Sequence, residues 1–254
     1  MKRLPEKRVR LSKRVALPKS INLPFELTQF IWSFIEKKTI RKFISNSKNT
    51  KKALEYTQLV WTRLGTYVCH LAAENGYLDI LKLARQINCP WNIFTPEFAA
   101  KNGHLDIVKY CHENGCEWND RTPTFAANNG HLEIIKYCHQ NGCEWDSQVT
   151  AAAADRGHLD IVKWLRSADP PCPWNVSTPL FAADYGHFDI VKYCHQNGCE
   201  WDASVPASAA HFGYLDILKY CHENNCPWNQ SIIRKEAVSN NHHHILQFLD
   251  SIQK

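Results

Sequence analysis

Six copies of one segment, spaced about 27 residues apart, constrain the fold of this 254-residue chain more than any other feature. One copy reads GHLDIVKYCHENGCEWN at residues 103–119, and a degenerate seventh copy has Asn241 at the glycine position. The opening glycines are Gly76, Gly103, Gly130, Gly157, Gly186 and Gly213. Because so short a unit cannot build a core of its own, the copies must stack on one another.

Each copy predicts two short helices. In one unit, Thr95 and Pro96 indicate the start of the first helix, with Thr95 as the N-cap, and Gly103 indicates its left-handed end. The spacing of apolar residues in LDIVKYC predicts a second helix with one buried face. An Asn or Asp follows each tryptophan and suits a tight turn, because its side chain can accept a hydrogen bond from the backbone two residues later.

No room remains for a strand, so we expect an all-α solenoid of six or seven helix pairs behind a small helical module. The predicted boundaries are a basic disordered tail at 1–19, the helical module at 20–60 and the solenoid at 66–254. The predicted repeats are 66–92, 93–119, 120–146, 147–175, 176–202 and 203–229, with a C-terminal cap at 230–254.

Cysteine and histidine lie close together in four of the copies, which raises the question of a zinc site. Cys111, His112 and Cys116 could supply three ligands. The other copies argue against this reading, because Ala84 and Leu165 replace the helix cysteine and arginine replaces the histidine in two of them. We interpret the cysteine position as apolar packing and the histidine position as exposed and polar. No metal and no other cofactor is therefore expected.

The cysteine and tryptophan near the end of each copy do not vary, and we interpret them as joints between repeats. They are Cys89, Trp91, Cys116, Trp118, Cys143, Trp145, Cys172, Trp174, Cys199, Trp201, Cys226 and Trp228. No apolar run follows the basic N-terminus, so we expect no secretory signal and therefore reduced thiols.

The segment TPEFAAKNGHLDIVKYCHENGCEWN resembles an ankyrin repeat, whose second half reads roughly AA-x-x-GHL-[DE]-[IV]-V-K. The resemblance extends from about residue 66 to the C-terminus. The unit has 27 residues instead of about 33, and Cys-x-Trp replaces the usual segment after the second helix. This variant is similar to the ankyrin families of amoeba-infecting giant DNA viruses. The resemblance implies a protein-binding function in the cytoplasm of a host cell.

Charge divides the chain into two parts. Residues 1–52 hold 15 Lys and Arg against three Glu, a net charge of +12, so the remaining residues carry −7 of the total +5. Residues 1–19 suit a solvated tail, a nuclear-import signal that would take the chain into the nucleus, or a phosphate-binding arm. A nucleic-acid binder acting through this tail is one functional alternative, although the negative repeats disfavour it beyond the tail.

Residues 20–60 resemble an F-box. The pattern LP-x-E-L-x-x-x-I-x-x-[FL] and the apolar residue of a following helix are met by Leu23, Pro24, Glu26, Leu27, Ile31, Phe34 and Ile40. The resemblance implies that these residues bind the Skp-type adaptor of a cullin ubiquitin ligase. The alternative is that these helices only cap the first repeat, in a plain interaction scaffold.

Positions that differ sharply between copies are candidates for target recognition. One set follows the turn and the other ends the first helix, and by the ankyrin resemblance both lie on or near the concave face. We expect the target to be bound by Phe94, Arg121, Gln148, Arg156, Ser177, Tyr185 and Phe212. The alternative for each residue is neutral variation on a surface.

Catalysis is not expected of this chain. Its acids and histidines recur at copied surface positions, and no nucleophile elbow, phosphate loop or zinc-protease motif is visible. No run of 18 apolar residues predicts a membrane span. The sequence therefore predicts a monomeric, non-enzymatic adaptor that links a target protein to a ubiquitin ligase.

Overall fold

Fourteen helices and no strand make up the part of the chain that the computed structural model describes, residues 66–86 and 88–252. These residues belong to one unit, Gly65–Lys254. The all-α helical-repeat class expected from the sequence is therefore confirmed. The predicted basic tail and the F-box-like segment lie outside the described residues.

Each repeat contributes a first and a second helix. The first helices are α1 (66–74), α3 (Phe94–Lys101), α5 (Arg121–Asn128), α7 (Ser147–Asp155), α9 (Ser177–Asp184), α11 (Ser204–Phe212) and α13 (Gln230–Ser239). The second helices are α2 (Leu78–Gln86), α4 (Leu105–Glu113), α6 (Leu132–Gln140), α8 (Leu159–Ser167), α10 (Phe188–Gln196), α12 (Leu215–Glu223) and α14 (His243–Ser251). From α3 onward, each first helix packs against the second helix of its own repeat and against the first helices of neighbouring repeats.

Small residues allow this close stacking. Ala99 and Ala100 near the end of α3 are fully buried, and every other first helix up to α11 has two buried alanines at the same positions. From α4, Ile107, Val108 and Cys111 complete the core, and none of the three is exposed to solvent. Burial of the helix cysteine agrees with the packing role inferred from its replacement by alanine and leucine.

The start of the first helix differs from the sequence prediction. Helix α3 already begins at Phe94, so Thr95 lies inside the first turn and is not the N-cap. The side chain of Asn92 takes that role, because its Oδ1 accepts a hydrogen bond from Phe94 N at 3.1 Å. In the next four repeats the same bond is accepted by the side chains of Asn119, Asp146, Asn175 and Asp202. The turn predicted from the Asn or Asp after each tryptophan is therefore confirmed.

Glycine is required at the end of the first helix for two reasons. Gly103 has a φ of +80°, in the left-handed region predicted for it. A Cβ at this residue would also come within 2.7 Å of the His131 ring from the next repeat. Nε2 of His131 donates to the carbonyl of Lys101 at 3.2 Å, so the histidine closes the end of the preceding first helix.

The invariant cysteine connects one repeat to the turn of the repeat before it. Cys116 is buried, its N–H donates to Cys111 O at 2.9 Å, and its thiol donates to Asn92 O at 3.4 Å. The four later joint cysteines donate to the equivalent carbonyl across each boundary. Each thiol thus fixes the spacing between two neighbouring repeats.

In the first five joints the tryptophan lies between two aromatic or cationic partners. Trp118 stacks on His112 of its own repeat, with ring centroids 4.1 Å apart and planes 10° apart. It also meets Tyr137 of the next repeat edge-on at 6.0 Å. His112 Nδ1 and the Tyr137 hydroxyl are hydrogen-bonded at 3.0 Å, which closes a three-residue cluster across the boundary.

This geometry corrects the reading of the histidine position as simply exposed and polar. His112 is half-buried under its tryptophan, and in two other repeats Arg85 and Arg166 place a guanidinium 4.2 Å from the tryptophan ring. Histidine and arginine interchange here because both present a flat surface to the indole. Only in the last such pair is the stacking looser, with His222 tilted by 53° and exposed.

We expect Trp145→Ala to lower the free energy of unfolding by about 2–4 kcal/mol, because the half-buried indole stacks on His139 at 4.2 Å and meets Trp164 edge-on. His139→Ala should cost about 1 kcal/mol, whereas His139→Arg should cost less than about 0.5 kcal/mol. Urea unfolding followed by circular dichroism measures all three. Equal losses for the alanine and arginine variants would contradict the stacking role.

Three buried threonines have no hydrogen-bond partner for their hydroxyl within the described residues: Thr95, Thr122 and Thr178. The same position is Val149 in the fourth repeat and Val205 in the sixth. Thr150 provides a contrast, because its buried hydroxyl donates to Pro173 O at 2.9 Å within the same repeat.

The matched pair Thr122→Val and Thr150→Val should therefore shift stability in opposite directions. Thr122→Val removes an unsatisfied hydroxyl and should raise the free energy of unfolding by about 1 kcal/mol. Thr150→Val leaves the Pro173 carbonyl without its donor and should lower it by about 1–2 kcal/mol. The measurement is urea unfolding, and a loss of stability in Thr122→Val would show that its hydroxyl is satisfied.

Candidate protein-binding surface

Large apolar side chains are exposed on one side of the described solenoid. Each lies on a first helix or on the residue that ends it, and no second helix of the described residues carries one. They are Tyr67, Phe94, Phe181, Tyr185, Phe212, Ile232 and Val238. We call the exposed side of the first helices the first-helix surface. Contiguous exposed apolar residues of this kind are typical of protein-binding surfaces.

All seven predicted target-binding residues lie on the first-helix surface, at two register positions. Phe94, Arg121, Gln148 and Ser177 hold the same position at the start of successive first helices, and Arg156, Tyr185 and Phe212 hold the position at the end. The structure brings Gln148 and Ser177 together along one groove.

Phe94 and Arg121 make contacts with the preceding repeat. Phe94 meets the ring of His70 edge-on at 6.0 Å, and Arg121 lies 3.7 Å from the buried carboxylate of Glu97. The Arg121 guanidinium also lies 5.3 Å from the centre of the Phe125 ring. Burial raises the pKa of Glu97, and the nearby Arg121 opposes that rise. These residues are therefore engaged in holding neighbouring repeats.

The position that ends the first helix divides the repeats into two groups. Four repeats have asparagine there, whose Nδ2 donates to the carbonyl four residues earlier at 2.8–2.9 Å: Asn75, Asn102, Asn129 and Asn240. Repeats four to six replace this cap with Arg156, Tyr185 and Phe212. We call these three residues the Arg156–Tyr185–Phe212 row.

The row consists of exposed side chains in three consecutive repeats. Tyr185 is 52% exposed and Phe212 is 49% exposed. Arg156 Nε pairs with Asp155 Oδ2 at 3.0 Å, and its guanidinium lies 5.8 Å from the centre of the Tyr185 ring. Each side chain of the row replaces a helix-capping asparagine. These three repeats therefore lack the asparagine's local hydrogen bond and have a large exposed side chain in its place.

A groove of about 410 Å³ crosses the first-helix surface at α5, α7 and α9. Two of the predicted target-binding residues, Gln148 and Ser177, line it. Its lining comprises Thr124, Asn128, Ser147, Gln148, Ala151, Ala152, Asp155, Asn175, Ser177 and Phe181. The groove is indicated in the sequence by a run of alanines in the fourth repeat. At the register position of Ala152, the third and fifth repeats have Phe125 and Phe181.

The cysteines show no geometry suited to a metal. A hydrogen bond with Cys116, together with burial, raises the pKa of Cys111 far above its usual value, and Cys138, Cys194 and Cys221 are raised for the same two reasons. His112 instead stacks on Trp118. Zinc binds thiolates, so protonated thiols are poor ligands. In 66–86 and 88–252, no group of three His, Cys, Asp or Glu residues could hold a metal ion.

Across the described helices, none combines the length and the apolar character that a bilayer crossing requires.

Comparison with known families supports the reading of the repeats. A family model described as ankyrin repeats (3 copies) matches residues 69–148 and 97–174. A search of curated protein sequences gives no match. Residues 69–174 are therefore similar to ankyrin repeats, a class of helical module that typically acts as a scaffold for protein–protein interaction. The same turn and joint bonds continue in the repeats after residue 174.

The buried thiols should make the protein lose stability at alkaline pH. Burial raises the pKa of Cys172 to about 11 and that of Cys69 to about 12. In the unfolded chain a thiol loses its proton near pH 8.5. Between these pH values the unfolded state holds fewer protons than the folded state, so the free energy of unfolding falls as pH rises.

For Cys172 alone this loss should reach about 3 kcal/mol by pH 11. Urea unfolding between pH 7.5 and pH 10.5 measures the decline, and Cys172→Ala should flatten it by the share that Cys172 contributes. The alanine variant isolates this thiol from the tyrosines, which also titrate at high pH. An identical decline in both proteins would contradict the raised pKa.

Proposed function

We propose that the chain is an adaptor that binds a target protein through its first-helix surface and links it to a ubiquitin ligase. The Arg156–Tyr185–Phe212 row is the observation that supports target binding at repeats four to six. Residues 20–60 would bind the Skp-type adaptor of a cullin ligase, and this half rests on their resemblance to an F-box. The similarity of the repeats to giant-virus ankyrin families suggests that both partners belong to an infected host cell.

Three features favour the row over the rest of the surface as the target-binding centre. Tyrosine, arginine and aromatic residues dominate the energetics of protein interfaces. The three side chains occupy consecutive repeats, so a partner can contact them together. Elsewhere the same position is occupied by an asparagine that caps its own helix, so the row is not needed for the stability of the stack.

The chemistry in this proposal belongs to the ligase. The chain contributes affinity for the target and the geometry that brings it to the ligase. The joints are suited to that task, because each thiol and each tryptophan fixes one repeat against the next over the length of the described array.

The row can be tested with variants whose new residue comes from the chain itself. Tyr185→Asn and Phe212→Asn insert the capping asparagine of other repeats, so we expect the thermal unfolding temperature to stay the same or rise. Each should weaken target binding by at least tenfold, which corresponds to about 1.4 kcal/mol. Affinity purification from host cells identifies the target, and titration calorimetry with the purified target measures the change.

The matched control is Lys192→Asn, which changes an exposed residue on a second helix and should leave target binding unchanged. Unchanged affinity in both row variants would exclude the row as the binding centre.

Adaptor binding has its own test on the full-length chain. Replacing Leu27 and Ile31 together by serine should abolish binding of a purified Skp-type adaptor while leaving target binding intact. Tyr185→Asn should weaken target binding while leaving binding of the Skp-type adaptor intact. An intact chain that fails to bind any such adaptor would exclude the ligase half of the proposal and leave the interaction scaffold.

The alternative scaffold makes a different prediction for the same segment. If residues 1–54 only cap the first repeat, their deletion should lower the free energy of unfolding of the repeats. If they form an independent adaptor-binding module, the repeats should keep most of their stability. Urea unfolding of the deletion variant separates these outcomes.

A further inference from the structure

The groove over α7 lies where the fourth repeat has a smaller side chain than its neighbours. At this register position the third repeat has Phe125 and the fifth has Phe181, whereas the fourth has Ala152. Ala151 beneath it is buried, and Phe181 on one flank is 37% exposed. A ring inserted by a partner would therefore lie over Ala152 and beside Phe181, at the register position where adjacent repeats have their own phenylalanines.

One end of the groove is electrostatically negative. Asp155 is the one charged side chain among the residues that line it, and its equivalent in the next repeat is Asp184. Both aspartates end their first helix, where the helix dipole adds partial negative charge. Arg156 neutralises part of this charge through its 3.0 Å contact with Asp155, and the Ser208 hydroxyl donates to Asp184.

We propose that this groove binds an extended segment of a partner protein that carries a large apolar side chain and, one or two residues away, a lysine or arginine. The apolar side chain would lie over Ala152 and beside Phe181. The cation would lie at the ends of α7 and α9, beside Asp155 and Asp184. This inference rests on the proposed function, because the groove is part of the first-helix surface through which the target is bound.

The spacing of the two features sets the spacing in the partner. Ala152 and Asp155 are three residues apart on one helix, which corresponds to a rise of about 4.5 Å along its axis. An extended peptide advances about 3.3 Å per residue. The basic side chain therefore fits at one or two residues from the apolar anchor, while a larger separation would carry it past the carboxylates.

The polar rim suits the backbone of such a segment. Gln148, Ser177 and Asn128 surround the apolar floor and offer donors and acceptors to an extended main chain. A purely apolar occupant would leave these groups without partners, and an acidic segment would meet Asp155. Both the rim and the charge thus favour a basic peptide with a single large apolar anchor.

The experiment selects random 12-residue peptides displayed on phage against the full-length chain and measures the affinity of the enriched peptides by fluorescence anisotropy. We expect a consensus with Phe, Tyr, Trp or Leu one or two positions from Lys or Arg. A peptide of the same composition with these residues six positions apart serves as the control for general charge attraction and should bind at least tenfold more weakly.

Two variants test the location of the bound peptide, and each uses a residue that the chain already has in register. Ala152→Phe restores the phenylalanine of neighbouring repeats and should weaken peptide binding at least tenfold without lowering the unfolding temperature. Asp155→Asn inserts the residue of the third repeat, Asn128, and should weaken binding three- to tenfold. Ala152→Ser is the matched control and should bind like the unchanged chain.

Several results would overturn this inference. They are the absence of enriched peptides, an acidic consensus, and unchanged affinity in both Ala152→Phe and Asp155→Asn. If Tyr185→Asn abolishes peptide binding while Ala152→Phe does not, the groove is excluded and the first-helix surface remains the target-binding surface. If changes in the row and in the groove leave the affinity for the purified target unchanged, both this inference and the proposed function are excluded.

Discussion

The joint between neighbouring repeats is the interaction on which the described solenoid depends. A buried thiol donates to a turn carbonyl of the preceding repeat, and a tryptophan stacks between a residue of its own repeat and an aromatic residue of the next. The fourth repeat shows how strictly this joint is kept. Although its turn is two residues longer, Cys172 N still donates to Leu165 O at 2.9 Å and its thiol reaches Asp146 O at 3.3 Å. The insertion is absorbed outside the joint.

This arrangement separates the residues that hold the stack from those free to bind. The invariant cysteines and tryptophans lie in the turns that follow the second helices, while the exposed apolar side chains lie on the first-helix surface. Repeats four to six exchange a helix-capping asparagine for arginine, tyrosine and phenylalanine, and the fourth repeat exchanges a phenylalanine for alanine. These departures lie away from the joints, so in the proposed function they are free to serve recognition without weakening the stack.

Sequence reasoning succeeded where a local rule acts alone. Gly103 has the positive φ expected of a helix end, and Asn92 forms the expected turn because the bond involves residues two apart. It failed where two local rules competed. Thr95 looked like an N-cap beside Pro96, but Asn92 accepts the first bond and the threonine is buried. His112 looked like a surface residue because arginine replaces it, yet both side chains lie against a tryptophan.

The sequence by itself determined the number, order and type of the described helices, because its period of about 27 residues repeats the same start, core and stop signals. It also separated invariant joints from variable positions. Only the tertiary structure decided that Ala152 opens a groove and that Arg156, Tyr185 and Phe212 form one row. Adjacency of residues 27–29 positions apart depends on how the repeats stack, and stacking is fixed by side-chain contacts across boundaries that no single copy contains.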